Sequence, residues 1–214
     1  NLLFKPGDAY GQTTFDYENP VDSDGDNTYA FDLSAIDLAG NASSVLPVQF
    51  HVVDMSVSSA TSATLPAGYE ELYLTGTGDI DGTGNPSNNL LVGTSGSNRL
   101  DGLAGNDTLD GGEGLDYLYG GPGDDVYIVH QNYDEVFEYA GEGIDSVYTD
   151  LDWQLAPNVE NLYLTGTDLI NALGTDANNY ILGNSQANIV QSFAGNDTLE
   201  GGGGSDTLEG GLGD

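Results

Sequence analysis

Through residues 84–128 one apolar position returns every nine residues, occupied by Leu91, Leu100, Leu109, Leu118 and Tyr127. Each sits at the centre of a three-residue run, and each run follows six residues rich in Gly, Asn, Asp and Ser. Cut at that period the chain reads GNPSNNLLV, GTSGSNRLD, GLAGNDTLD, GGEGLDYLY and GGPGDDVYI. Gly opens every unit and holds the fourth position of all but the first, which suits a tight turn because Gly accepts positive φ. Three residues with one side chain pointing in and two pointing out make a very short strand. One unit cannot bury its apolar residue, whereas stacked units bury a continuous inner row, so the pattern predicts a solenoid. Two strands and two turns close a coil, and same-side turns then recur every 18 residues.

The sixth position carries the candidate chemistry. It holds Asn89, Asn98, Asp107, Asp116 and Asp125. The 18-residue coil superposes Asp107 on Asp125, Asn98 on Asp116 and Asn89 on Asp107. Carboxylates and turn carbonyls converging between stacked turns make an all-oxygen cage, which suits a hard cation taking six to eight ligands: calcium rather than zinc. Asp107 over Asp125 is the one same-side Asp pair within the phased units, which marks it as the best site.

GGEGLDYLY and GGPGDDVYI resemble in full the RTX nonapeptide G-G-x-G-x-D-x-U-x, where U is a large apolar residue, and GLAGNDTLD departs only at its second Gly. The resemblance implies a parallel β-roll with calcium bound between turns by position-six carboxylates and turn carbonyls. It thereby assigns Asp107, Asp116, Asp125, Asp197 and Asp206 as side-chain ligands. Carbonyls at Gly105, Gly112, Gly114, Gly121, Gly123, Gly195, Gly202 and Gly204 complete the shells. Asn98 and Asn188 stand where Asp belongs. An amide offers one neutral oxygen, so these turns are expected either to bind calcium weakly or to form an Asn hydrogen-bond ladder.

The pattern returns. LPAGYEELYLTGT at Leu65–Thr77 aligns without gaps on LAPNVENLYLTGT at Leu155–Thr167, an offset of 90 residues or ten nonapeptides. The second array reads GTDANNYIL, GNSQANIVQ, SFAGNDTLE, GGGGSDTLE and GGLGD, with Ile181, Val190, Leu199 and Leu208 expected to face inward. Asp197 is expected over Asn179 and Asp206 over Asn188. Asp214 aligns with Asp124, one residue before the next expected ligand, as in a fragment of a longer array. Between the arrays, residues 129–153 lose the Gly signature but keep alternating segments, read as half-buried strands in wider coils of one right-handed solenoid.

Residues 1–57 follow period two instead. Tyr29, Phe31, Leu33 and Ala35 alternate with small or polar residues, as do Val48, Phe50 and Val52 after a turn at 37–41. This predicts a sandwich-type β-hairpin, with Leu2–Phe4 and Phe15–Tyr17 as partner strands. The stretch FDYENPVDSDGDNTYAFDLSAIDLAGN resembles the last half of bacterial cadherin-like or immunoglobulin-like adhesin repeats. That resemblance implies interdomain calcium ligands at Asp37 and Asp54. Asp22, Asp24 and Asp26 around Gly25 read as a solvated acidic turn, since no Glu or flanking helices complete a helix–loop–helix calcium site. Small residues at 56–64 read as a linker. The expected organisation is an all-β chain: a partial sandwich at 1–57, a linker at 58–64, and a β-roll at 65–214 in two 90-residue copies, 65–154 and a truncated 155–214.

Composition narrows the function. The 214 residues carry 35 Asp and Glu against 2 Lys and Arg, a formal net charge of −33. That field repels nucleic acid and anionic membranes. Stacked carboxylates repel one another without a cation and become ligands with one, so binding energy becomes folding energy. Extracellular calcium modules bind at roughly 10⁻⁴–10⁻³ M, which the cytosol leaves empty. The chain has no Cys, which fits secretion through a route that needs no disulfide. The RTX resemblance implies type I export. His51 and His130 stand far apart and read as strand residues, Trp153 and the 13 Tyr as packing, and neither a zincin motif nor a nucleophile elbow is present. The expectation is a non-enzymatic, calcium-folded module of a large secreted bacterial surface protein, adhesin-like, with a cell-surface or matrix target. The alternatives are the calcium-dependent C-terminal module of a secreted protease, lipase or epimerase, and a subunit that assembles with its own copies into a surface layer or filament.

Overall fold

The computed structural model describes residues 28–33, 46–51 and 56–213. They fall in two compact units, divided after Val53, and no helix occurs among the described residues. In the first unit Thr28–Leu33 pairs antiparallel with Leu46–His51, Tyr29 opposite Phe50 and Phe31 opposite Val48. The hairpin expected from the alternation is therefore present. The partner strands Leu2–Phe4 and Phe15–Tyr17, and Asp22, Asp24, Asp26, Asp37 and Asp54, lie outside the described residues.

The second unit is a parallel β-solenoid. A nine-stranded sheet runs from Ser56–Ser59 to Thr198–Glu200, and every neighbouring pair in it is parallel. A five-stranded sheet from Ala63–Thr64 to Glu135–Phe137 and a four-stranded sheet from Trp153–Gln154 to Thr207–Glu209 supply the other strand of each coil. The sheets meet through their inward side chains: a Cβ added to Gly82 would lie 3.0 Å from Leu100 and 3.1 Å from Leu72 of the long sheet.

The inner row of the long sheet is Val57, Leu72, Leu91, Leu109, Tyr127, Val147, Leu162, Ile181 and Leu199, in register one on the next. From Leu72 to Ile181 these residues are fully buried. One apolar side chain per strand is enough because coils above and below cover its flanks. At roughly 25 cal/mol per Å² of apolar surface, that covering is the main stabilising contribution. Leu208 keeps the inward register opposite Val190 but is 44% exposed, the last rung of its row.

The spacing along the row corrects the sequence reading. Successive inward residues stand 15, 19, 18, 18 and 20 positions apart from Val57 to Val147, then 15, 19 and 18 to Leu199. The 90-residue repeat is thus five coils of unequal length. Residues 129–153 contribute one longer coil and open one shorter coil, not uniformly wider ones. Residues 58–64 are not a linker: Ser56–Ser59 and Ala63–Thr64 are the strands of the first short coil. Ser56–Val57 corresponds to Ser146–Val147 one repeat later. The segment looks like a linker because a 15-residue coil turns on small side chains, leaving Val57 and Ala63 as its inward residues.

Candidate metal centre in the stacked turns

Each turn leads into its strand through the position-six residue, so the register of the strands fixes the register of the carboxylates. On the side leading into the long sheet, the backbone N–H of Asn89 donates to Asp107 Oδ1 at 2.7 Å. Asp107 N–H donates to Asp125 Oδ1 at 2.6 Å, and Asp125 N–H to Asp145 Oδ1 at 2.8 Å. Asp145 N–H then donates to Glu160 Oε2 at 2.9 Å. On the other side Asn98 N–H donates to Asp116 Oδ1 at 2.8 Å and Asp116 N–H to Asp134 Oδ1 at 3.1 Å. In the second array Asn179 N–H donates to Asp197 and Asn188 N–H to Asp206, at 2.8 and 2.9 Å. The superpositions expected from an 18-residue coil are all present.

The ladder is longer than the Gly pattern suggests. Asp107 over Asp125 is not the single same-side Asp pair: Asp116 stacks on Asp134 and Asp125 on Asp145. Sequence reading missed Asp134 and Asp145 because Gly is lost at Val129 and Asn132. Positions six and eight persist there as Asp134 with Val136 and Asp145 with Val147, a signal available to a search on those two positions alone.

One oxygen of each ladder carboxylate takes an N–H. The other, Oδ2 of Asp107, Asp116, Asp125 and Asp197, is buried with no hydrogen-bond partner among the described residues. A buried, unpaired carboxylate oxygen is costly unless a cation faces it. Burial pushes the carboxyls of Asp107 and Asp116 up to about 7 and that of Asp125 up to about 6, against the opposing pull of the ladder N–H groups. Burial likewise lifts Asp145 to about 7. Arg99, which lies 2.8 Å from Asp101, and His130, 3.3 Å from Asp110, bind carboxylates outside the ladder.

Carbonyl oxygens supply the rest of the cage. A Cβ on Gly121, at φ +95°, would sit 2.1 Å from Leu103 O, and one on Gly123, at φ +147°, 1.9 Å from Gly105 O. Both the left-handed backbone and the close approach of the preceding turn require Gly here. Gly112, Gly114, Gly195, Gly202 and Gly204 stand against the turn 18 residues earlier in the same way, as does Gly105 against Ser87. Leu103 and Phe193 replace Gly at the second position yet keep φ near +80° and +68°.

Asparagine turns are closed differently. Asn98 Oδ1 accepts from Thr94 N–H at 2.6 Å while its Nδ2 donates to Ile80 O at 2.6 Å. Asn188 Oδ1 accepts from Asn184 N–H at 3.0 Å and its Nδ2 donates to Ile170 O at 2.6 Å. Of the two expectations for these turns, the hydrogen-bonded arrangement is the one seen; the amides of Asn98 and Asn188 are turned to the backbone rather than offered as free ligands.

Buried orphan carboxylate oxygens, carbonyls crowding Gly-lined gaps and strong negative charge fit a hard, oxygen-seeking cation. The family model of the RTX calcium-binding nonapeptide repeat, four copies long, matches residues 83–118, 92–127 and 173–208. The solenoid is built from RTX calcium-binding repeats. Such repeats bind calcium, and the matched stretches of this RTX solenoid contain Asp107, Asp116, Asp125, Asp197 and Asp206. The chain is also 39% identical over 62 residues to endo-1,3-1,4-beta-glycanase ExsH of Rhizobium meliloti (strain 1021). That match covers 29% of this chain and 13% of the glycanase.

Proposed function

We propose that this RTX solenoid is a calcium-folded structural and interaction module of a large secreted bacterial surface protein. The observation that carries the reading is the column of buried aspartate oxygens without partners. In the ladder, Asp107, Asp116, Asp125, Asp197 and Asp206 would hold calcium together with the turn carbonyls. Calcium supplies positive charge where the folded chain has gathered negative charge. At ligand about 100-fold above Kd, each site adds about 2.7 kcal/mol to folding. RTX repeat proteins are typically secreted by type I export. In calcium-poor cytosol the chain would stay loose, and outside the cell it would stiffen into a rod.

The adhesin-like role rests on the antiparallel hairpin of the first unit, the part that resembles a cadherin-like repeat. The reading is non-enzymatic: it assigns the carboxylates to the ladder and no group to a reacting substrate. A second reading, the calcium-dependent module of a secreted enzyme, draws support from the partial similarity to ExsH, whose printed name is that of a glycanase. What precedes the solenoid in the full protein distinguishes the two.

The test is far-UV circular dichroism of the chelated chain during calcium titration, with magnesium as control. A cooperative rise of β signal at sub-millimolar to millimolar calcium, absent with magnesium, is expected. An unchanged spectrum would leave a plain β-solenoid spacer and remove the calcium function.

A further inference from the structure

Two departures from the nonapeptide pattern meet inside one coil. Glu138 stands 18 residues after Gly120, itself 18 after Gly102, so it occupies the position that opens a unit. That position faces inward. At Gly120 a Cβ would lie 2.2 Å from Asp125 Oδ2 and 2.3 Å from the Tyr127 hydroxyl. Any side chain there is thus aimed at the carboxylate ladder. Glu138 has such a side chain, and it is 8% exposed. The second departure is Tyr127, a phenol in a row otherwise made of Leu, Val and Ile. Its hydroxyl accepts from Gly120 N–H at 2.8 Å and donates to Glu138 Oε1. The Tyr therefore orients the Glu.

Asp125, Glu138 and Asp145 each bring a carboxylate oxygen within 4.8 Å of the others, all three residues buried. Independently of that clustering, Glu138 Oε2 and Asp125 Oδ2 are buried with no partner. We propose that Asp125, Glu138 and Asp145 form an interior calcium site, made by three side-chain carboxylates instead of turn carbonyls. The ligand class follows from the donors: three carboxylates without nitrogen or sulfur select a hard divalent ion. The site would lock the 20-residue coil, where Gly no longer sets the turn, to the regular coil before it. It rests on the calcium reading of the turns, since Asp125 belongs to both.

The test counts calcium by equilibrium dialysis on the full chain, comparing wild type with Glu138→Gly and Glu138→Gln. Glu138→Gly restores the residue that the repeat uses at this position, and Glu138→Gln keeps the shape without the charge, so at least one should fold; circular dichroism in calcium checks this. The expected result is one fewer bound calcium per chain in either variant, with the remaining ions binding as before. Equal numbers and equal affinities in wild type and both variants would overturn the interior site and leave the turn sites standing. No calcium on wild type would overturn both.

Discussion

The asparagine turns and the aspartate turns share a backbone but are closed by different means. In the coils through Asn89 and Asn98, and again through Asn179 and Asn188, the position-six oxygen folds back on an N–H of its own turn. The amide nitrogen reaches a carbonyl of the preceding coil at Asn98, Asn179 and Asn188. In the coils through Asp107, Asp116 and Asp125 there is no amide donor, and one oxygen is left buried and unpaired. One atom, N for O, separates a turn that is complete by itself from one that needs a cation. Because the Asn turns stand at corresponding places 90 residues apart, the chain alternates self-sufficient coils with calcium-dependent ones.

The largest test of that difference is removal of calcium. With chelator, the strands Thr108–Gly112 and Val126–Val129, fed by Asp turns, are expected to lose amide-exchange protection first. Glu71–Leu74 and Leu90–Thr94, beside the Asn turns, should retain more. The predicted loss is about 2.7 kcal/mol per site at calcium 100-fold above Kd. Solenoid coils stabilise their neighbours, so a graded loss is expected rather than a sharp border. Equal loss in both regions would mean that the Asn turns depend on calcium as much as the Asp turns.

A smaller effect exchanges the two chemistries. Asp116→Asn should lose one bound calcium, yet in chelator it should unfold no more easily than wild type, and up to about 1–3 kcal/mol less easily, because an unpaired buried oxygen is gone. Urea unfolding in chelator and in calcium measures both arms. The reverse change, Asn98→Asp, removes the donor to Ile80 O. In chelator it should destabilise by about 1–2 kcal/mol, with calcium restoring part of the loss. If Asn98→Asp is neutral in chelator, the amide's hydrogen bonds are not what closes the turn.

Much of this was legible in the sequence, and the limits have physical causes. Period nine fixes strands and turns because each unit has one inward residue, and period 18 fixes which carboxylates stack. Glycine was the weaker guide. It marks where the backbone must turn tightly, but the ladder and core depend on positions six and eight, which is why Asp134 and Asp145 were overlooked while their strands are regular. The short coils were hidden for the opposite reason: at 56–64 the inward residues are only Val57 and Ala63, too small to raise a periodic apolar signal. The amide bonds of Asn98 and Asn188 were open in the sequence because an Asn can present either end to its surroundings. Glu138 was out of reach without the register, since nothing local says that it stands in the place of Gly120.

The smallest effect concerns the second position of the turn, where the two copies make the same exception. Leu103 and Phe193 hold positive φ where other turns have Gly. A left-handed conformation disfavours an L side chain by roughly 1–2 kcal/mol, and replacing it by Gly gives back roughly 0.5–1 kcal/mol of unfolded-chain freedom. The net for Leu103→Gly is therefore a gain of about 0.5 kcal/mol, visible as a small rise in Tm at saturating calcium. Leu103 is 40% exposed and Phe193 42% exposed, so little buried surface is lost and the backbone decides the sign. Phe193→Gly should shift Tm by the same amount if the copies are equivalent. A loss of stability in both would show that these side chains pack against the turn more than their exposure suggests. Their recurrence 90 residues apart would then reflect a contact and not a tolerated strain.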